Sequence, residues 1–151
     1  MSTLKQYQAA AEHAAKKMGL EEPIAVRWMD ILCSAHSKLT LAHCHVDNGK
    51  MPRGTICVRR RTTWPNGIYD LMTHEVAHLV ARTHGSKRML AAIAKANPKG
   101  GEAKMARRIG AVPHRHRWAP HRLENINSSG VHIQESCDAC GSTRIATYVR
   151  A

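Results

Sequence analysis

Apolar side chains recur at helical spacing from the start of the chain, at Leu4, Tyr7, Ala11, Ala14 and Met18. The residues between them are strong helix formers, which predicts a helix over Leu4–Met18 with Gly19 as its C-terminal cap. Ile24–Trp28 alternates apolar and polar positions and reads as a first strand. Two β-leaning runs, Lys38–Val46 and Gly54–Arg60, flank Asp47-Asn48-Gly49-Lys50, the turn chemistry of a hairpin. Pro52 keeps the start of the second run on the turn side.

Ile68, Leu71, Met72, Leu79 and Val80 form the next apolar stripe, and Pro65 stands just ahead of it, predicting a helix over Asn66–Thr83. Ser86 offers an N-cap for another helix ending at Asn97-Pro98. After the joint Lys99-Gly100-Gly101 comes a short basic helix, Glu102–Ile109. Gly110 and Pro113 then mark a boundary between a main domain, 1–112, and a tail, 113–151. The tail reads as short strands at Arg122–Ile126, Val131–Gln134 and Arg144–Val149. The fold class is α+β, with no internal repeat.

The middle helix carries the chemistry. His74-Glu75-Val76-Ala77-His78 fits H-E-x-x-H. Residues four apart lie about 40° apart around a helix, so both imidazoles can reach one metal ion, with Glu75 beside them to take a proton from water. His84 is a third candidate ligand. On a continued helix it would lie about 9 Å further along the axis and on another face. The chain must therefore turn back between Val80 and Gly85, and Gly85 permits such a turn. Three histidines and one open position form the catalytic pattern for zinc, whereas structural sites are closed by four protein ligands.

Thr73–Met89, THEVAHLVARTHGSKRM, resembles the active-site segment of the SprT-like metalloproteases, the group that includes Spartan, and of the related YgjP-like peptidases. The order of helix, strand, hairpin and motif helix is similar to that of a minimal zincin domain. The resemblance implies a zinc-dependent endopeptidase with His74, His78 and His84 as zinc ligands and Glu75 as general base. Metzincins share the six-residue step from His78 to His84, but Ala81 stands where they require glycine. Asp70, one turn before His74, is the acid expected to orient a ligand imidazole.

The tail offers a second zinc. Cys137-Asp138-Ala139-Cys140-Gly141 is a knuckle sequence that supplies two thiolates. His114 and His116 stand about twenty residues upstream, where a two-part zinc site draws its other ligands, with His121 and His132 as competitors. SprT-like proteins often end in a zinc ribbon, and by that resemblance the His114/His116 pair replaces the ribbon's first cysteines. On the hairpin, strand alternation turns His43 and His45 one way and Cys44 the other. With His36 they read as a strand edge near a substrate groove rather than as a ligand set.

Charge widens the range of partners. The 151 residues carry 23 Lys and Arg against 11 acidic residues, a net +12 with histidines neutral. Basic runs lie at Arg59–Arg61, Lys87-Arg88, Arg107-Arg108 and Arg115–Arg117. Such an excess favours an anionic partner, nucleic acid above all, in addition to a protein or peptide substrate. DNA-associated proteins are the substrates this combination suggests. The rival expectation is a non-catalytic zinc-containing protein that binds nucleic acid or serves in assembly. Five cysteines, an odd number, argue against a disulfide framework. No segment reads as a signal peptide or a membrane span, so the cytoplasm is the expected compartment.

Overall fold

The computed structural model describes residues 2–37, 39–60, 67–127 and 130–149. Lys38, Arg61, Pro65 and Asn66, to which the sequence patterns assign roles, lie outside them. The element order is α1 (Leu4–Met18), β1 (Ala25–Trp28), β2 (Ala42–Cys44), β3 (Thr55–Val58), α2 (Ile68–Val80), α3 (Lys87–Ala96), α4 (Gly101–Arg108), β4 (Trp118–Asn127), β5 (Gly130–Cys137) and β6 (Thr143–Tyr148). The architecture is mixed α+β, with two three-stranded sheets.

Helix α1 has the bounds its periodicity predicts. Thr3 and Gln6 close it in a reciprocal capping box, and Gly19 ends it at φ 80°. Its buried face of Tyr7, Ala11, Ala14 and Ala15 packs with Val26, Ile56 and Val58 of the first sheet and Leu71, Met72 and Val76 of α2. The alanines matter because they let α1 and α2 approach closely. A second apolar cluster joins Ala77 of α2 to Met89, Leu90 and Ile93 of α3 and to Ala103 and Ala106 of α4. Helix α2 is thus buried from two sides.

The first sheet has the order β1-β3-β2, with β1 parallel and β2 antiparallel to β3. The hairpin is present but its strands are much shorter than the β-leaning runs. Ten residues, 45–54, join them instead of a tight turn. Arg53 organises that connection. Its guanidinium donates to Glu22 (Nε to Oε2, 2.7 Å), to the Val46 carbonyl and to the Leu79 carbonyl at the end of α2. These bonds hold the loop against the motif helix, a tertiary contact that outweighs the local turn propensity of Asn48-Gly49.

The tail is an antiparallel meander, β4-β5-β6. Its strands extend beyond the predicted ones: β4 begins at Trp118 and β5 runs on to Cys137. Arg107 of α4 donates to the carbonyls of Pro98 and Ala139, linking the helix to the β5–β6 turn. Among the described residues, no helix is long and apolar enough to cross a membrane.

Candidate functional site

Helix α2 stops at Val80, three residues before the predicted end. Ala81 is extended, and the chain bends through Thr83–Ser86 with Gly85 at φ 69°. The bend carries His84 back onto the helix, as H-E-x-x-H followed by a distant third histidine requires. One ring nitrogen from each of His74, His78 and His84 lies within 4.8 Å of the others, and His78 Nε2 stands 3.1 Å from His84 Nε2. Three imidazoles this close cannot all be protonated. Burial, with His84 and His74 nearby, pushes His78 down to about 4, so it is a neutral ligand at ordinary pH.

The orienting acid differs from the expected one. Asp70 is bonded to the Asn97 side-chain amide, at the end of α3. It is Glu102, on α4, whose Oε1 lies 2.9 Å from His74 Nδ1. With Nδ1–H donating to that carboxylate, Nε2 of His74 keeps its lone pair for a metal. The hydrogen bond to Glu102 also raises the His74 pKa against the opposing effect of burial. Glu102 lies 28 positions beyond His74 on a separate helix, so motif spacing holds no trace of the pairing.

Glu75 is only 7% exposed. Burial lifts its carboxyl to about 7, while the His74 charge and a hydrogen bond from the Cys44 backbone pull the other way. A carboxylate poised near neutrality suits a general base. The Cys44 amide also fixes where that base sits, because β2 is an edge strand. His45 N–H bonds to Thr55 O and Arg59 N–H to Leu41 O, so Leu41 and His45 face β3. Alternation then directs the backbone groups of Ala42 and Cys44 outward, toward α2. Between this edge and the histidines lies a cavity of about 200 Å³ lined by His43, Cys44, Val46, His78, Arg82 and His84.

In the tail, His114, His116, Cys137 and Cys140 bring four ligand atoms within 4.8 Å. His114 Nε2 is buried without a hydrogen-bond partner, the condition of a nitrogen waiting for a metal. Burial opposes ionisation of Cys137. Backbone amides of Arg117, Cys140 and Ala139 and the His116 ring outweigh it and bring the thiol down to about 6. The His116 ring stacks on Trp118 at 4.8 Å, and the Arg144 guanidinium lies over that indole, 4.5 Å from its ring centroid. The competitors are elsewhere: His132 bonds to Thr147, and His121 is exposed on β4. Two cysteines and two histidines are a donor set that could hold a metal ion.

Sequence reasoning missed a third grouping, Cys33, His45 and Cys57, whose ligand atoms also lie within 4.8 Å of one another. Compared with protein-family models, curated proteins and solved structures, the chain matches none.

Proposed function

We propose that the chain is a zinc-dependent endopeptidase of SprT-like type, its main domain a minimal zincin and its tail held by a structural zinc. The observation that carries this reading is Glu75: a buried carboxylate near neutrality beside three converging histidines, next to an open edge strand. A structural site has no use for such a base.

His74, His78 and His84 hold the catalytic ion, and His114, His116, Cys137 and Cys140 hold the second. Zinc, when bound, supplies Lewis acidity to water and to the scissile carbonyl. Glu75 accepts a proton from the attacking water and passes it to the leaving amine. Glu102 holds His74 in the tautomer that coordinates. The substrate lies extended along β2, pairing with the outward groups of Ala42, while the Cys44 N–H stays on Glu75. The small cavity beside His43 accepts one side chain of such a polymer and is too small for a drug-sized ligand.

A nucleic-acid role accompanies the peptidase reading, supported by the net +12 and by a groove beside the tail ligands to which Arg107, Arg108 and Trp118 contribute. Binding to mixed-sequence DNA is expected to fall steeply with salt. The test of the main reading is cleavage of an unfolded protein substrate, with and without DNA. Activity that a chelator abolishes and zinc restores supports it. A zinc-loaded chain that binds DNA and cleaves nothing supports the non-catalytic alternative.

A further inference from the structure

We propose that Cys33, His45 and Cys57 form a separate zinc site that staples the segment 29–37 onto the outer face of the first sheet. The inference goes beyond the peptidase reading and does not depend on it.

The sheet has two unlike faces. Val26, Cys44, Ile56 and Val58 point into the core between α1 and α2. By alternation His43, Cys57 and Arg27, which share a register across the three strands, point the other way. No helix covers that second face among the described residues, yet Cys57 is wholly buried. What lies over it is the loop after β1, with Cys33 at 3% exposure. The loop is shaped around Cys33: its N–H bonds to Asp30 O, and its carbonyl accepts from His36 N–H.

Apolar packing does not explain why this loop stays down. Its large apolar residues face water, Ile31 at 85% and Leu32 at 54% exposure. The loop instead directs a thiol inward onto a second thiol and an imidazole. Cys33 and Cys57 are hydrogen-bonded to each other, and Cys57 Sγ lies 3.5 Å from His45 Nε2. Tetrahedral zinc with bonds of about 2.3 Å to sulfur and about 2.0 Å to nitrogen spaces those two ligand atoms about 3.5 Å apart. The pair is already at bonding geometry.

Charge favours the same ion. Two thiolates neutralise Zn²⁺, so the loaded site buries no net charge, and its two thiol protons leave to the buffer. Soft sulfur ligands select zinc over magnesium or calcium. Cys33, His45 and Cys57 supply three ligands, which leaves the fourth position of a tetrahedral ion to water.

The experiment uses the full chain carrying Cys137→Ser and Cys140→Ser, which removes the tail thiolates. Cobalt is added as the probe. The His74 ligands include no sulfur, and Cys44, the third remaining cysteine, points into the core on the other face of the sheet, so thiolate-to-cobalt charge-transfer absorption that a Cys33 replacement removes reports on Cys33 and Cys57, whatever becomes of the peptidase reading. One equivalent of such absorption is expected, with its loss on adding Cys33→Ser. Zinc content should fall by one ion per chain in the same step. Cys33 lies in a loop, so this variant spares the central strand; His45→Gln provides an independent second removal. A folded tail variant without the absorption overturns the proposal. So does a Cys33–Cys57 disulfide found in a non-reduced digest of the native protein.

Discussion

Replacing Glu102 with alanine should weaken metal binding at the His74 centre without touching a ligand. In the native chain the Glu102 carboxylate receives the His74 Nδ1 proton at 2.9 Å. Removing it frees the ring to rotate and to exchange tautomers. Losing such an orienting partner ordinarily costs about 10–100-fold in metal affinity, or about 1.4–2.7 kcal/mol. The Glu102 side chain is 37% exposed, against 18% for His74. Water can therefore take over part of the hydrogen bond, which places the expected loss near the lower end, about 10-fold. Glu102→Gln still offers an oxygen to Nδ1–H and should fall between parent and alanine. The assay is peptide hydrolysis over a series of buffered free-zinc concentrations: the half-activating concentration should rise about 10-fold for Glu102→Ala. Asp70→Ala is the control. Asp70 contacts Asn97 and not the ligand histidine, so it should leave that concentration unchanged and cost about 1 kcal/mol of stability. If Asp70→Ala shifts zinc activation and Glu102→Ala does not, the assignment is wrong.

Three further outcomes are expected. In the metal-free chain the Glu75 pKa is raised on folding, so the native state holds a proton that the unfolded state has released between about pH 4.5 and 7, and stability drops as pH rises through that window. Glu75→Gln should thus stabilise the metal-free chain at pH 8 by roughly 3 kcal/mol and have little effect at pH 4, read from urea midpoints at the two pH values. Gly85→Ala meets no side-chain obstruction but must adopt φ 69°, so it should cost about 1–2 kcal/mol and weaken zinc binding through His84, while Gly85→Asn costs less; thermal melts and zinc titration check this. The Cys137→Ser/Cys140→Ser pair should remove one zinc per chain by elemental analysis and speed amide exchange beyond Pro113, with the His74 centre still loaded.

What the sequence made legible at the site was whatever a single helix and its exit determine. The i, i+4 spacing of His74 and His78 needs only helical periodicity, and Gly85 marked the bend that returns His84. His114 and His116 met the knuckle because β4 begins at Trp118, which pairs with Cys137 and brings the preceding residues to the β5–β6 turn. Groups that meet only through tertiary packing were not legible. Glu102 reaches His74 because Ala103 and Ala106 seat α4 in the apolar cluster that joins α3 to Ala77 of the motif helix. Cys57 faces His43 through β2–β3 register, and Cys33 arrives from a loop with no periodicity. The hairpin was foreseen as a pair but not in its loop, since the Arg53 bonds to Glu22 and Leu79 have no local signature.

The central claim is that Glu75 is the base of a zinc peptidase, and one comparison tests it most directly: zinc content and peptide hydrolysis measured together for the parent chain, Glu75→Gln and His78→Ala. Glu75→Gln keeps all three ligands, so it should retain parental zinc while hydrolysis falls by about 10²-fold or more. His78→Ala should lose both the ion and the activity. Hydrolysis by Glu75→Gln at the parental rate, with zinc bound, contradicts the account.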